Sequence, residues 1–519
     1  MGIPVYLSYI IKQHPDIVQD IGSIEDQIQD LFIDANSIIY DAVHQGATTD
    51  KEVYDGVARL LAELCSKVRP TRKMYVMFDG VAPAAKMDQQ RTRRFKSAFE
   101  KRLVTDDAKS GGWDTTAITP GTVFMVNLKK ELTARLKSSG LSVPVEISGP
   151  DEPQEGEHKI FSLIRDPLRV SRSDVVAVYG LDADLIMLAL NHLSVCPKTY
   201  LFRETPHFVS SLSRELKPNT TYLLNIPELS KSIAVDFGAE SFGGQVMNEG
   251  QYVSDYILLC FLLGNDFMPH FPSINIRQTG IRTLIDAYKE MRATVGGRLV
   301  EAGQIAWKRM RALVSILSQN ERERFLESDS KRTKQARYCL TAPKFENDNP
   351  AIDLPLLDRS VEIFIDPNRD GWTTRYYQSL FDCEDDKARV RSICTEYVKA
   401  MEWTFKYYNA GCVDWRWRYP YAYAPLLTDL AQYIPYLGVS MFPDVAENGP
   451  VSPATQLAYV LPGSALWLLP EETQAKLYTH LRANYRDDFD FEWAYCRYFW
   501  ECHVKFPDVT LDRIEEVLA

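Results

Sequence analysis

The sequence predicts an α/β protein with a mostly parallel central sheet flanked by helices. The first observation is that apolar runs at residues 31–33, 74–78 and 175–179 are each followed closely by an aspartate. The second is that helical stretches alternate with such runs up to about residue 290, as in parallel strands joined by helical crossovers. Because the carboxyl ends of parallel strands open onto one crevice, we expect the acids that follow these strands to meet there.

Seven carboxylates in short acidic clusters form the predicted site: Asp34, Asp79, Glu155, Glu157, Asp182, Asp184 and Asp266. Acids gathered in one crevice repel one another unless divalent cations neutralise them, and Mg²⁺ is the usual hard cation with oxygen ligands. For any single acid, a turn or a helix cap is the competing explanation. That explanation does not account for two pairs of acids with a one-residue spacer, so the pattern predicts a two-metal phosphodiesterase site.

A basic helix is predicted directly after Asp79. Pro83 suits a first helical turn, and the residues that follow are good helix formers. One face of this helix, at spacing i, i+4, i+7 and i+8, carries Lys86, Gln90, Arg93 and Arg94. Such a face could bind a phosphate, since the planar fork of Arg meets phosphate oxygens bidentately. The alternative is a solvated basic surface, which is ordinarily the commoner reason for such a run.

Long motifs make the sequence similar to the Xrn family of 5′→3′ exoribonucleases. They occur at residues 1–4 (MGIP), 79–87 (DGVAPAAKM), 118–125 (ITPGTVFM), 155–160 (EGEHKI), 179–187 (YGLDADLIM), 264–270 (GNDFMPH) and 419–425 (YPYAYAP). The matches extend from residue 1 to about residue 430 in the order of the family, which makes the resemblance highly specific.

The resemblance implies a role for each candidate residue. The seven acids fall on the catalytic metal-site acids of the family, which implies two Mg²⁺ ions, with Mn²⁺ as a substitute. Lys86, Gln90, Arg93 and Arg94 fall on its pocket for the 5′-terminal phosphate. Pro83 matches a residue placed where an incoming duplex must split.

An aromatic pair clamps the first base in the family, and here the candidates are Tyr40 with either Trp415 or Trp417. Tyr40 replaces a histidine of the family, and it can still stack on a base, which is worth roughly 1–3 kcal/mol. A second family histidine is Ala422 here, so that side chain's contribution is absent.

Three polar residues beside the acids are interpreted as hydrogen-bond partners that orient the carboxylates: Asn36, His158 and Asn265. A structural, partly buried histidine is the competing interpretation of His158.

The resemblance also implies the organisation of the chain. Residues 1–290 would form a PIN/FEN-like nuclease core, residues 291–360 a charged helical segment and connector, and residues 361–519 a second, mainly helical region rich in aromatic residues. Most of these aromatic side chains are expected to be core residues. From about residue 440 onward the sequence indicates helices and no chemistry. The resemblance leads us to expect a compact form without the long C-terminal extension that cytoplasmic members carry.

Composition is typical of an intracellular globular enzyme. The 519 residues carry a net charge of −11, which argues against coating nucleic acid through general basicity, so RNA contact should be confined to a local basic strip. The nine cysteines suit neither a disulfide framework nor a zinc site. No signal peptide or spanning apolar stretch is present, so a cytoplasmic location is expected, in the host cytoplasm if the source is a virus.

The favoured function is a monomeric Mg²⁺-dependent 5′→3′ exoribonuclease acting on single-stranded, 5′-monophosphorylated RNA and releasing nucleoside 5′-monophosphates. Two alternatives stay open. A flap endonuclease-like enzyme for branched DNA shares the acid clusters but not the basic 5′-phosphate face. A non-catalytic RNA-binding scaffold would be expected to lack one or more of the acids.

Overall fold

The computed structural model describes residues 5–24, 26–104, 113–204, 221–242, 245–341, 351–486, 489–507 and 509–519. Two sequence features lie wholly or partly outside these ranges: the opening motif at residues 1–4, and residues 342–350 of the charged helical segment and connector predicted at 291–360.

A seven-stranded sheet forms the centre of the first region. Its strands are β1 (Val18–Gln19), β2 (Asp30–Asp34), β3 (Lys73–Met77), β4 (Val145–Ser148), β5 (Val175–Tyr179), β6 (Lys198–Glu204) and β7 (Thr221–Asn225). Their order is β1-β7-β6-β5-β2-β3-β4. The run from β6 to β4 is parallel, and β7 and β1 are added antiparallel at one edge. The predicted fold class, a mostly parallel sheet flanked by helices, is confirmed.

Helices cover both faces of the sheet. Those of the first region are α1 (Tyr6–Gln13), α2 (Asn36–His44), α3 (Asp50–Val68), α4 (Ala84–Val104), α5 (Val123–Ser138), α6 (Gly156–Arg165), α7 (Asp184–Asn191), α8 (Ile226–Asp236) and α9 (Glu249–Phe261). Helices α2, α3 and α5 bury one face with Leu31 and Ile33, whereas α6 to α9 bury the other with Phe32. Burial on both faces explains why the strands are continuous apolar runs rather than alternating ones.

The second region is mainly helical, as predicted. Its helices are α10 (Gly280–Thr294), α11 (Trp307–Ser318), α12 (Glu321–Thr341), α13 (Leu354–Leu357), α14 (Ser360–Ile365), α15 (Trp372–Phe381), α16 (Lys387–Asn409), α17 (Leu427–Tyr433), α18 (Pro453–Val460), α19 (Glu471–Leu481) and α20 (Leu511–Leu518). Six short strands form three two-stranded antiparallel sheets in the described part of the chain: β8 (Ser241–Phe242) with β9 (Gln245–Val246), β10 (Val300–Glu301) with β11 (Gln304–Ile305), and β12 (Asp490–Glu492) with β13 (His503–Lys505).

The two regions share one apolar core. A single cluster of buried side chains extends from the sheet strand β2 through α7 and α9 into α16 and α17. Trp403, Tyr407 and Tyr408 of α16 are fully buried in it, in keeping with the expectation that the aromatic residues are mostly core. No helix within the described ranges is long and apolar enough to cross a membrane.

His192, directly after α7, is a buried histidine that the fold keeps neutral. Its Nδ1 donates to the Leu188 carbonyl oxygen over 2.7 Å, and its Nε2 accepts from Arg165 over 2.8 Å. Burial, and next the nearby Arg165 guanidinium, lower the pKa of His192 to about 4. Because the folded-state pKa lies below the unfolded value of about 6.5, this residue favours the folded state above that pH and loses its contribution as pH falls towards 4.

We predict that replacing His192 with glutamine flattens the fall in the free energy of unfolding between about pH 6.5 and pH 4. Glutamine can make the same two hydrogen bonds but takes up no proton, and each unit of pKa difference is worth roughly 1.4 kcal/mol. Urea unfolding of both proteins across this range measures the slope. Parallel slopes for the wild type and His192→Gln would show that His192 does not take up a proton on unfolding.

Candidate active site

The acids lie where the strand order reverses, between β2 and β5. Asp34 ends β2 and Asp79 follows β3 by two residues, so both stand at the carboxyl edge of the sheet. Asn36, the first residue of α2, joins these two strand ends. Its Nδ2 donates to Asp79 Oδ2 over 2.6 Å, and its Oδ1 accepts from the Asp79 backbone nitrogen over 3.2 Å. Asn36 therefore orients Asp79, which is the contact expected for it.

Glu155 and Glu157 flank the first residue of α6, Gly156. The Gly156 backbone nitrogen donates to Asp79 Oδ1 over 2.8 Å. A Cβ at this position would lie 2.6 Å from Asp34 Oδ1 and 2.8 Å from the Met77 carbonyl oxygen. Only glycine lets the helix start approach the strand ends so closely, which explains the small spacer between these two glutamates.

Asp182 and Asp184 connect β5 to α7. The Asp184 backbone nitrogen donates to Asp182 Oδ1 over 3.3 Å. Asp184 is 1% exposed, and its Oδ1 meets no hydrogen-bond partner among the described residues.

Asp266 follows a helix and not a strand. The apolar run that precedes it, at residues 257–263, is the end of α9 and the turn after it.

Lys86 of α4 lies inside the acid cluster. Its Nζ is 2.6 Å from Glu155 Oε2 and 2.7 Å from Asp266 Oδ2. Burial by itself would lower the pKa of Lys86, but Asp266 and then Glu155 outweigh it and hold that pKa well above its usual range. The structure therefore brings one residue of the predicted phosphate pocket into direct contact with two of the predicted metal-site acids.

The cluster has the electrostatics of a cation site. Burial, followed by neighbouring carboxylates, raises the pKa of Asp34 and of Asp184 well above the usual range for aspartate. Burial likewise raises the pKa of Glu155 and, more strongly, of Glu157, with Lys86 opposing it. Ligand atoms of Glu155, Glu157 and His158 lie within 4.8 Å of one another. The side chains of the cluster offer mainly oxygen ligands, repel one another, and include the unpartnered Asp184 Oδ1. They therefore fit a divalent cation such as Mg²⁺.

Tyr407 is the site residue that sequence reasoning missed. Its hydroxyl donates to Glu155 Oε1 over 2.8 Å, and its ring stacks on His158 with 3.8 Å between ring centroids. Burial lowers the pKa of His158 well below its usual range, so the ring is neutral. Tyr407 lies among the buried aromatic residues of α16, and no local motif distinguishes it from them.

Asn265 Oδ1 accepts from the backbone nitrogens of Phe267 and Met268, so it shapes the Asp266 turn rather than contacting a predicted acid directly.

The other residues of the predicted phosphate pocket, Gln90, Arg93 and Arg94, lie further along α4. Gln90 is buried, and Arg94 donates from Nη2 to the Ile118 carbonyl oxygen over 2.9 Å. Burial, and next the adjacent Arg93, lower the pKa of Arg94 to about 10, so the guanidinium keeps its charge at neutral pH. Arg93 is exposed and lines a cavity of about 720 Å³ that also reaches Asp266.

The candidates for base stacking differ in their surroundings. Tyr40 is partly exposed on α2. The Trp415 carbonyl oxygen accepts from the backbone nitrogen of Ala84 over 2.9 Å, which fixes Trp415 beside the start of α4. Trp417 packs against Trp403 with 5.4 Å between ring centroids, as part of the aromatic core. Trp415 therefore lies beside the helix that carries the predicted phosphate pocket.

Pro83 is buried directly before α4, and its carbonyl oxygen accepts from the backbone nitrogens of Lys86 and Met87, each over 2.9 Å. This residue therefore closes the first turn of the helix.

Comparison with known protein families identifies the family to which this chain belongs. Residues 1–205 match the family described as XRN 5′-3′ exonuclease N-terminus, and residues 246–353 and 366–519 match the Xrn1 helical domain. The chain belongs to the XRN 5′-3′ exonuclease family. The resemblance read from the motifs is thereby confirmed.

Relatives of this XRN chain include 5′-3′ exoribonuclease 1 of Homo sapiens, 28% identical over 100% of this chain and 34% of the relative. The Saccharomyces cerevisiae 5′-3′ exoribonuclease 1 is 26% identical over 92% of this chain and 40% of its own length. Gallus gallus 5′-3′ exoribonuclease 2 is 26% identical over 100% and 70%, respectively. The chain thus spans well under half the length of the first two relatives. Among solved structures, the catalytic core of Rad2 in complex with DNA substrate aligns with 67% of this chain at 14% identity and a TM-score of 0.33.

We predict that Gly156→Ala disrupts the acid cluster. The added methyl group would collide with an Asp34 carboxylate oxygen and the Met77 carbonyl oxygen, and overpacking of this kind costs typically about 1–3 kcal/mol. Chemical denaturation measures the loss of stability.

Gly250→Ala is the matched control, because Gly250 also lies in the first turn of a helix and a Cβ there meets nothing within 4 Å. Equal stability of the two variants would contradict the close approach at Gly156.

Proposed function

We propose that this XRN family chain is a 5′→3′ exoribonuclease that hydrolyses single-stranded, 5′-monophosphorylated RNA to nucleoside 5′-monophosphates with the help of two Mg²⁺ ions. The observation that carries the proposal is the contact of Lys86 with Glu155 and Asp266. It joins a basic helix face suited to a terminal phosphate to a carboxylate cluster suited to divalent cations. The names of the relatives support the same class of reaction.

The chain's own side chains have distinct tasks in this proposal. The seven acids hold the cations, and Asn36 and Tyr407 orient Asp79 and Glu155 by hydrogen bonds. When bound, divalent cations supply an activated water and stabilise charge on the leaving oxygen. Lys86 supplies a fixed positive charge beside the same carboxylates, which reduces their repulsion and leaves the cluster able to accept a substrate phosphate.

The direction of cleavage follows from the proposed phosphate pocket. Gln90, Arg93 and Arg94 bind the terminal phosphate, which sets the first phosphodiester bond next to the carboxylates. A pocket for one phosphate excludes a cap by steric clash and binds a 5′-hydroxyl end poorly. Tyr40 and Trp415 stack on the terminal base, which requires that base to be unpaired. Cellular location and monomeric state stay predictions from the sequence.

The test is digestion of one single-stranded RNA that carries a 5′-monophosphate, a 5′-hydroxyl or a 5′-cap, with and without Mg²⁺. We expect rapid loss of the monophosphorylated RNA alone, with mononucleotide products. Asp182→Ala should abolish activity by removing a cation ligand, and thermal unfolding would show whether this variant is folded.

Other outcomes distinguish the alternatives. Internal fragments or equal cleavage of all three RNAs would contradict the phosphate pocket and favour an endonuclease. Binding of RNA without any cleavage would favour a non-catalytic scaffold.

A further inference from the structure

The C-terminal segment, for which the sequence predicts no chemistry, packs against the helix that carries the phosphate pocket. Leu457 of α18 joins Ala84 and Met87 of α4 in one buried apolar cluster. Ser452 caps α18 by accepting from the Thr455 backbone nitrogen over 3.1 Å. The turn at Gly121 also lies close to α18, since a Cβ there would lie 2.9 Å from Pro453 Cβ. Helix α18 thus contacts both α4 and the motif at residues 118–125.

Gln456, at the centre of α18, is fully buried, and each end of its side-chain amide makes one polar contact. Its Oε1 accepts from the Ala82 backbone nitrogen over 2.9 Å. Its Nε2 donates to Gln90 Oε1 over a longer distance of 3.4 Å. The contact therefore links the backbone just before α4 to a residue of the proposed phosphate pocket, through a side chain from the far end of the sequence.

The chemistry of these groups fixes the direction of every hydrogen bond. The Ala82 backbone nitrogen can only donate, so the Gln456 atom that faces it must be the oxygen. The other end of the Gln456 amide is then a donor, and the Gln90 atom that faces it must also be an oxygen. The Gln90 Nε2 group is left to donate elsewhere, and within the described residues no hydrogen bond to it is found.

We propose that Gln456 is a positioning residue that turns the Gln90 amide so that its nitrogen faces the 5′-terminal phosphate. This proposal rests on the proposed function of the same pocket. A free glutamine amide could present either its oxygen or its nitrogen to a ligand, and an oxygen would repel a phosphate. By accepting a hydrogen bond from Gln456, Gln90 presents donors only, which suits an anion and gives no comparable advantage to a 5′-hydroxyl end.

The test compares two substitutions of similar size, Gln456→Glu and Gln456→Met. An ionised glutamate still accepts from Ala82 but must also accept from Gln90, which reverses the Gln90 amide. Methionine fills the space without directing that amide. The measured quantity is the ratio of kcat/KM for 5′-monophosphate RNA to kcat/KM for 5′-hydroxyl RNA, together with the thermal unfolding of each variant.

We expect Gln456→Glu to lower this ratio by roughly tenfold or more, the effect of losing one hydrogen bond to a charged group. The loss should arise mainly from a higher KM for the monophosphorylated RNA, and Gln456→Met should give a smaller loss. The single variant Gln90→Met should have a lower ratio than the wild type. The double variant Gln90→Met with Gln456→Glu should have the same ratio as Gln90→Met, because the amide that Gln456 would orient is already gone.

Tyr459→Phe is the matched control. Tyr459 lies on the same helix and donates to Asp88 of α4, away from Gln90, so its removal should lower stability and leave the ratio unchanged. A Gln456→Glu protein that is folded and keeps the wild-type ratio would overturn the proposal. A wild type with no preference for the monophosphate would instead overturn the proposed function.

Discussion

Mutual repulsion among buried carboxylates is the constraint on which this structure depends. Burial removes the solvent that would screen these charges, and an uncompensated charge in such surroundings is costly. The raised pKa values of Asp34, Glu157 and Asp184 are the direct sign of that cost. Lys86 offsets part of it by contacting Glu155 and Asp266. A bound divalent cation would offset the rest, which makes the folded state and cation binding energetically coupled.

The fold supplies several independent supports for this cluster. The parallel strands bring Asp34 and Asp79 to one edge of the sheet, and the missing side chain at Gly156 lets the start of α6 approach them. The second region contributes the rings of Trp417, Trp403 and Tyr407, which pack in succession onto His158 of α6 with centroid separations of 5.4, 4.7 and 3.8 Å. Through this column of rings α16 holds the Tyr407 hydroxyl against Glu155, so the second region supports a cluster whose acids all lie in the first.

Local sequence signals were sufficient for the elements with strong periodicity and not for contacts between distant segments. The strands at 31–33, 74–78 and 175–179 were predictable because their apolar runs end at acids, and the helix after Pro83 because of its composition and spacing. The origin of Asp266 was harder to predict, since a short apolar run does not distinguish a strand from a buried helix. Tyr407 and Gln456 were missed because each acts on a residue more than 250 positions away, and nothing in their own neighbourhood marks it.

The most direct test of this account is the thermal unfolding of the wild type and Asp184→Asn, each with a chelator and with saturating Mg²⁺. Asp184 is the natural choice because its buried Oδ1 meets no partner in the described chain. If repulsion governs the cluster, Asp184→Asn is the more stable protein in chelator, and Mg²⁺ raises the melting temperature of the wild type more than that of the variant. A wild type that does not respond to Mg²⁺, or an Asp184→Asn protein that is less stable in chelator, would contradict the account.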